Sequence, residues 1–431
     1  MAIDTAIGGT AAQHQRLPGV IVAATIGNVL EWFDFLVYGY FASYIAEVFF
    51  PAHDPTVSLL ITWSTFGLSY VARPLGAVII GTYTDRAGRK AGLTLSIGLM
   101  LIGTLAMVVT PGYAAIGLAG PIIIILARIL QGFSVGGEFG SAVAFLVEHT
   151  GDRKGFSASW QWATTGIVSI IVAVFGLGLT TYLSHEQMID WGWRVPYVFG
   201  LLVGPAGLYI RARMSETPEF LEAEKPARVP IGELLQRHPI PVLLALGASI
   251  VSNASYYLLV YVPTYAVKNL HLPEYTGFAA TLVGGILLAT FSVLAGHWSD
   301  KTQPRVRIML ITGVLFALAA YPSFWLMVTW PSVATCVFAV GLLNLIKGGY
   351  SGILPSVLAE QFPVETRGVG IAFSYSISVT IFGGFAPFFA TWLVKQTGDP
   401  LSPAYYLMAT ALMSIVALMV IARRSKAGER R

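Results

Sequence analysis

Residues 81–90 read Gly-Thr-Tyr-Thr-Asp-Arg-Ala-Gly-Arg-Lys and interrupt two long apolar runs. A shorter version, Gly-His-Trp-Ser-Asp-Lys, occupies residues 296–301 in the second half of the chain, and Arg305 follows it. Some 60 residues beyond each version an acid again precedes an arginine and a glycine. These signals are Glu148, Arg153 and Gly155, then Glu360, Arg367 and Gly368. The same order at matching places predicts two homologous halves.

The rest of the chain is dominated by apolar runs. Of its 431 residues, 55% are hydrophobic and 11% charged, and the mean hydropathy is +0.70. A membrane-spanning helix needs roughly 20 apolar residues. The pattern predicts an all-α integral membrane protein with twelve transmembrane helices. They lie near residues 19–45, 57–82, 92–110, 119–147, 157–183, 193–211, 240–266, 276–297, 307–328, 332–358, 368–394 and 402–421.

A polar, proline-containing stretch divides these helices six from six. We therefore predict an N-terminal six-helix bundle over residues 1–211, a cytoplasmic linker over 212–239 and a C-terminal six-helix bundle over 240–431.

The positive charges predict the orientation. With the N-terminus in the cytoplasm, cytoplasmic segments hold 20 of the 26 Lys and Arg residues, and the opposite loops hold 3. This bias satisfies the positive-inside rule and places both termini in the cytoplasm. No clustered basic fold element accompanies the net charge of +4, so we expect no nucleic-acid partner. Cys336 is the one cysteine, which excludes intrachain disulfides, and we expect no metal or cofactor.

Residues 81–90 resemble the hallmark loop of the major facilitator superfamily. Four further stretches resemble its metabolite:proton symporter family. They are Gly-Asn-Val-Leu-Glu-Trp-Phe-Asp-Phe at 27–35, Arg-Pro-Leu-Gly at 73–76, Leu-Gln-Gly-Phe-Ser-Val-Gly-Gly-Glu at 130–138 and Trp-Gly-Trp-Arg-Val-Pro at 191–196. The resemblance covers nearly the whole chain. It implies proton-coupled uptake of organic acids or osmolytes across the bacterial inner membrane.

Six ionisable residues fall deep in the predicted helices: Glu31, Asp34, Arg73, Arg128, Glu138 and Lys347. An ionised group at that depth costs roughly 2.5 to 3.5 kcal/mol on insertion scales. Each such residue is therefore expected to have an ion-pair partner, a water-filled cavity or a functional role. Helical spacing places Asn28, Glu31, Asp34 and Tyr38 on one stripe of the first helix.

We expect Glu31, Asp34 and Glu138 to couple protons, because a buried acid beside a base can exchange a proton during transport. The expected substrate-binding residues are Asn28, Tyr38, Arg73, Arg128, Gln131, Gln161, Asn253, Tyr257 and Lys347. The family resemblance implies that Asp85, Arg86, Arg89 and Asp300 gate the bundle. An open alternative is that the acids pair with Arg73 or Arg128 and lock helices together.

Lys347 lies in the middle of the tenth helix, and the second half of the chain holds no acid at comparable depth. Its partner is therefore either the substrate or an acid of the first half, such as Glu31 or Asp34.

Three bases and three acids at depth sum to zero charge, so protonation of an acid makes the cavity positive. This predicts proton-coupled symport of a di- or tricarboxylate, such as citrate or tricarballylate, by a protein that functions as a monomer in the lipid bilayer. One alternative is a zwitterionic osmolyte, proline or betaine, held in a cage of Trp160, Trp162 and Tyr257. Another is an organic acid such as shikimate.

Osmosensing members of the family carry a long C-terminal coiled coil, whereas this tail ends ten residues after the last helix. A channel or an intramembrane enzyme is less expected, since no His-Glu-x-x-His helix occurs.

Overall fold

The computed structural model describes residues 28–29, 32–87, 89–136, 143, 146–147, 153–212, 231–302 and 304–428. All regular secondary structure in these ranges is helical. Their long helices number twelve, and we label them α1 to α12. The predicted all-α architecture is confirmed.

The first bundle contains α1 to α6. Helix α1 comprises residues 32–40 and, after a turn at Phe41, Ala42–Phe49. The next helices are α2, Pro55–Ala87, α3, Arg89–Val109, α4, Ala119–Ser134, α5, Lys154–Tyr182, and α6, Val195–Ala212. Short helices at Tyr113–Ile116, His185–Asp190 and Gly192–Arg194 fill the α3–α4 and α5–α6 connections.

The second bundle contains α7 to α12 and is preceded by a short helix, Ile231–Arg237. Helix α7 is Pro239–Val260 continued by Val262–Lys268, α8 is Tyr275–Lys301, and α9 is Arg305–Thr329. Helix α10 is Val333–Ser351 continued by Leu354–Glu360. Helix α11 runs from Val364 to Thr397 with a π-helical turn at Val379–Gly384, and α12 is Ser402–Gly428. Within the described ranges, seven helices, α5 and α7 to α12, are long and apolar enough to cross a membrane.

The two bundles meet where α5 packs along α8 and where α2 packs against α11. Glycines allow α5 and α8 to approach each other closely. A Cβ atom added at Gly166 of α5 would lie 2.8 Å from the carbonyl oxygen of Gly285 in α8. A larger residue at this position would force the helices apart, as at other close helix crossings in membranes.

The two ends of the molecule carry different polar contacts. We call the end formed by the α1–α2, α5–α6, α7–α8 and α11–α12 loops the α1–α2 face, and the opposite end the α2–α3 face. At the α1–α2 face, Lys395 Nζ of the second bundle lies 2.6 Å from Asp54 Oδ2 of the first. At the α2–α3 face, Asp300 accepts hydrogen bonds from the backbone N–H groups of Gly155 and Phe156 at 2.7 and 2.9 Å. Polar contacts thus join the bundles at both ends.

Candidate functional site

Arg128 of α4 lies at the centre of a polar network inside the first bundle and is 0% exposed. Its Nη1 donates to the Phe35 carbonyl oxygen at 3.1 Å and to Gln131 Oε1 at 2.8 Å. Its Nη2 donates to Ser69 Oγ at 3.2 Å. These bonds join α1, α2 and α4, so the guanidinium stabilises the packing of three helices.

Aromatic rings enclose the same guanidinium. Its Cζ lies 4.4 Å from the ring centroid of Phe35 and 4.5 Å from that of Tyr38. The Tyr38 hydroxyl donates to the Thr62 carbonyl oxygen at 3.3 Å. Ring faces attract a cation most strongly where water is absent, as here. Tyr38 and Arg128, both predicted to bind substrate, therefore contact each other and already have partners in the first bundle.

Asp34 of α1 joins this network through neutral side chains. Its Oδ2 lies 3.2 Å from Thr104 Oγ1, a hydroxyl that shares its one proton between Asp34 and the Met100 carbonyl oxygen at 3.0 Å, and Thr104 accepts from Gln131 Nε2 at 3.0 Å. Since Gln131 also bonds Arg128, an Asp34–Thr104–Gln131–Arg128 chain connects acid and base. Asp34 Oδ1 is buried and has no hydrogen-bond partner within the described ranges. It faces Gly200 of α6, where an added Cβ atom would lie 1.8 Å from it. Among the described residues Asp34 makes no ion pair with either arginine, so the direct-pairing alternative is not seen for this acid.

Arg73 of α2 occupies a different environment. It is 3% exposed, and its Cζ lies 5.1 Å from the Trp32 ring and 5.5 Å from the Tyr70 ring. Its Nε and Nη1 atoms have no hydrogen-bond partner within the described ranges. Arg73 thus keeps donors available at the interface of the two bundles.

Three tyrosines lead from Arg73 to Lys347, and we call them the tyrosine row: Tyr70, Tyr257 and Tyr256. The ring centroids of Tyr70 and Tyr257 are 5.0 Å apart, and those of Tyr257 and Tyr256 are 5.2 Å apart. At the far end, Lys347 Nζ lies 4.3 Å from the Tyr256 ring and 4.5 Å from the Trp162 ring. The row crosses from the first bundle to the second and ends at a cation on each side.

Lys347 is 1% exposed, and its Nζ has no hydrogen-bond partner in the described part of the chain. An ammonium group has three donors, and burial without acceptors is costly. The rings of Tyr256 and Trp162 compensate in part, by about 2 kcal/mol or more for a desolvated cation. The rest of the cost is not offset by any hydrogen bond from the described residues.

The π turn of α11 supports the tyrosine row. An added Cβ atom would lie 2.7 Å from Tyr257 Cδ2 at Gly383, and 2.5 Å from Tyr70 Cδ2 at Gly384. Only glycine permits rings of both bundles to lie against the helix backbone here. Single π turns occur frequently at functional sites.

The other predicted residues are placed as follows. Asn253 Nδ2 donates to Ser378 Oγ at 3.2 Å, and its Oδ1 has no partner among the described residues. Gln161 of α5 is buried, and Asn28 is half-buried, with an Nδ2 that no described residue bonds. Asp300 caps α5 across the bundle interface, as described above. Glu31, Glu138 and the side chains of Asp85, Arg86 and Arg89 lie outside the described residues.

Two residues of the site were not predicted from the sequence. Thr104 links Asp34 to Gln131, but a single hydroxyl in an apolar helix gives no signal by itself. Tyr256 contacts Lys347, although the binding residues predicted for α7 included its neighbour Tyr257 and not Tyr256. The adjacency of two buried tyrosines was the available clue.

Sequence comparison assigns the chain to a family. It matches the Major Facilitator Superfamily over residues 24–343. The chain belongs to this superfamily. The match confirms the predicted transporter fold of two six-helix bundles, and the chain is a membrane transporter rather than an enzyme.

Curated relatives extend over nearly the whole chain. The citrate-proton symporter of Klebsiella pneumoniae is 35% identical over 411 residues, covering 94% of this chain and 92% of the relative. The proline/betaine transporter of Salmonella typhimurium is 36% identical over 421 residues, covering 93% and 82%. These relatives confirm the membership that the sequence motifs indicated.

Solved structures show the same fold. A partially occluded, inward-open xylose transporter from E. coli matches with a TM-score of 0.69 at 15% identity, covering 94% of this chain and 97% of that one. A proton:xylose symporter bound to 6-bromo-6-deoxy-D-glucose matches with a TM-score of 0.75 at 16% identity, covering 94% and 95%. At such identities the likeness concerns the fold alone.

Proposed function

We propose that the protein is a proton-coupled symporter of a small organic anion, a di- or tricarboxylate such as citrate or tricarballylate, which moves its substrate by alternating access. The observation that carries this proposal is the pair of buried cations at the two ends of the tyrosine row. Among the described residues, Arg73 in the first bundle and Lys347 in the second both keep nitrogen atoms without hydrogen-bond partners. Three tyrosine rings separate the two cations, so a multi-carboxylate would reach both as the bundles close around it.

The aromatic environment of Lys347 favours an anion over a zwitterionic osmolyte. A cage for a quaternary ammonium needs free ring faces. In this protein the Trp162 ring already faces Lys347 Nζ at 4.5 Å. A betaine ammonium in that position would meet the lysine charge, which repels it. The proline/betaine relatives keep the osmolyte as the second candidate. A monocarboxylate such as shikimate would serve only one of the two cations.

Proton coupling is assigned to Asp34, with Glu31 and Glu138 as further candidates. Protonation of Asp34 removes one negative charge from the first bundle, and the remaining positive charge favours an anion. The Asp34–Thr104–Gln131–Arg128 chain offers a physical connection between proton site and cation. The name of the citrate-proton symporter relative supports this direction of coupling.

The remaining roles follow from position. Asn253 Oδ1 has no hydrogen-bond partner among the described residues, and Tyr257 belongs to the tyrosine row, so we assign both residues to substrate binding. We keep Asn28, Tyr38, Arg128, Gln131 and Gln161 as binding or supporting residues of the same cavity. Asp300 is assigned to gating, since its bonds to the N-terminus of α5 must break when the α2–α3 face opens. Asp85, Arg86 and Arg89 are proposed to act with it.

We infer that the α2–α3 face is cytoplasmic and that the protein acts in the bacterial inner membrane as a monomer. The bias of 20 to 3 in Lys and Arg residues supports this orientation. The proposed bundle boundaries remain 1–211 and 240–431, joined by the linker at 212–239.

The test uses purified protein in proteoliposomes with an imposed proton gradient and radiolabelled citrate. We expect uphill accumulation that a protonophore abolishes. Tricarballylate should compete, whereas shikimate and betaine should compete weakly. Accumulation that follows sodium without a proton gradient would refute proton coupling. Accumulation of betaine in place of citrate would select the second candidate.

A further inference from the structure

A group of polar side chains joins the two bundles at the α1–α2 face, away from the cations described above. We call it the outer cluster, and it comprises Tyr44 and Glu47 of α1, His185 after α5, and Lys268 and Glu274 beside the α7–α8 loop. Two of its members belong to the second bundle and three to the first. Contacts within the cluster must therefore separate whenever this face opens.

His185 lies between two carboxylates. Its Nε2 is 3.0 Å from Glu47 Oε2, and its Nδ1 is 2.6 Å from Glu274 Oε1. A neutral imidazole carries one N–H, so only one of these contacts could be a hydrogen bond. The other ring nitrogen would direct its lone pair at a carboxylate oxygen. An imidazolium donates in both directions, so the observed geometry fits the protonated histidine.

The other groups of the cluster make Glu274 depend on this proton. Lys268 Nζ lies 3.1 Å from Glu47 Oε1, so Glu47 has a second cation. Glu274 receives its other hydrogen bond from the Tyr44 hydroxyl, which is neutral. Among the described residues His185 is the cationic partner of Glu274. Glu186, the next residue in the same short helix, is exposed.

We propose that the outer cluster is a proton-binding site that holds the α1–α2 face closed. A proton on His185 ties Glu274 of the second bundle to Glu47 of the first. Loss of that proton leaves Glu274 without a cation and weakens the closure. The inference rests on the proposed alternation between the two faces, and it adds a proton site that is separate from Asp34.

The pKa of His185 gives the direction of the response. Partial burial acts to lower the pKa of the imidazole, but hydrogen bonds with Glu274 and Glu47 outweigh this effect and raise the pKa above its ordinary value of 6.5. Once Glu274 moves away, the pKa falls back towards that value. The closing contribution is therefore fully present below pH about 6.5 and is lost as pH rises through the raised pKa.

The acid of the neighbouring ion pair on this face, Asp54, does not titrate in the same range. The hydrogen bond from Lys395 holds the pKa of Asp54 below its ordinary value of 3.8. Asp54 therefore stays ionised near neutral pH. Its pair with Lys395 contributes equally to closure of the α1–α2 face across that pH range. A pH response of the face near neutrality should come from His185.

The experiment measures the distance between the bundles in lipid nanodiscs without substrate. Spin labels are placed at the exposed positions Ala52→Cys and Gln396→Cys in a Cys336→Ala background, and electron–electron double resonance is recorded at pH about 5.5 and about 8.5. We expect the population with the open distance, relative to that with the closed distance, to rise roughly threefold to tenfold at the higher pH. This is the range expected for a half-exposed ion pair.

Three variants decide the assignment. His185→Arg keeps a fixed charge and should stay closed at both pH values. His185→Gln should show the same distance distribution at both pH values. His53→Gln alters another exposed histidine of the same face and should keep the wild-type response. A pH response that persists in His185→Gln, or that is absent from the wild type, overturns the inference. Because no substrate is added, failure of citrate transport would refute the proposed function and leave this result standing.

Discussion

Arg128 and Lys347 are both buried cations, yet their surroundings differ. Arg128 donates three hydrogen bonds to groups of its own bundle, whereas Lys347 Nζ has no hydrogen-bond partner among the described residues and contacts only ring faces. Burial carries a similar cost for both charges, but only Arg128 receives hydrogen bonds from the described residues, whereas Lys347 receives ring faces alone. The comparison shows that Arg128 joins three helices, and it motivates the proposal that Lys347 binds the substrate.

The largest expected effect concerns the acid connected to Arg128. Asp34→Asn should abolish uphill accumulation of citrate, because a fixed neutral side chain cannot release a proton. Exchange of citrate across equal concentrations should continue, since the movement of the bundles does not need that proton. Both are measured in the same proteoliposomes, with Asp190→Asn, at an exposed position of the short helix after α5, as the matched control. Uphill accumulation by Asp34→Asn would show that another acid carries the proton.

The next effect tests Arg128 itself. Arg128→Met removes three hydrogen bonds and strands their acceptors, so we expect the free energy of unfolding to fall by about 3 to 5 kcal/mol or the protein to express poorly. Thermal melting of the purified variant measures this, with Arg128→Lys as a control that keeps the charge. A variant that melts like the wild type but no longer binds citrate would make Arg128 a substrate ligand and remove the contrast with Lys347.

These residues also show what the sequence could and could not predict. The apolar runs and the repeated charged loops predicted the helices correctly, because lipid permits few other backbone arrangements. Helical spacing likewise placed Asp34 and Tyr38 on one stripe of α1. It could not show which neighbouring helix each side chain meets.

In the structure the Asp34 carboxylate contacts the Thr104 hydroxyl of α3. The Tyr38 hydroxyl donates to a backbone carbonyl oxygen of α2, and its ring packs against the Arg128 guanidinium. Partners on separate helices depend on packing that no single helix encodes. The lack of an acid for Lys347 within its own half was easier to predict, because the absence of a deep acid can be read from the second half of the chain. Its contacts with Tyr256 and Trp162 required the packing of three helices and could not be predicted.

Lys347→Met tests the other side of the comparison. Losing a charge-assisted hydrogen bond to the substrate should weaken citrate binding by about 1.5 to 3 kcal/mol, roughly tenfold to a hundredfold. The melting temperature should hold or rise, since the variant no longer buries a charge without acceptors. Lys347→Arg is the control that keeps the charge in a larger side chain. Unchanged affinity with a lowered melting temperature would give Lys347 a structural role instead.

The smallest effect concerns the continuity of the first-bundle network. Thr104→Val keeps the shape of the side chain and removes the hydroxyl that bonds both Asp34 and Gln131. The hydroxyl also contacts the Met100 carbonyl oxygen of its own helix at 3.0 Å, and losing its contacts with two other side chains as well should cost about 1 to 3 kcal/mol of unfolding free energy. Thr62→Val is the matched control, because that equally buried hydroxyl donates to the Ser58 carbonyl oxygen of its own helix at 2.8 Å. Since its loss disconnects no other side chain, it should cost less. Equal costs for the two variants would mean that Thr104 does not connect Asp34 to Gln131. In that case the state of Asp34 could not reach Arg128 along this path, and the two groups would act independently.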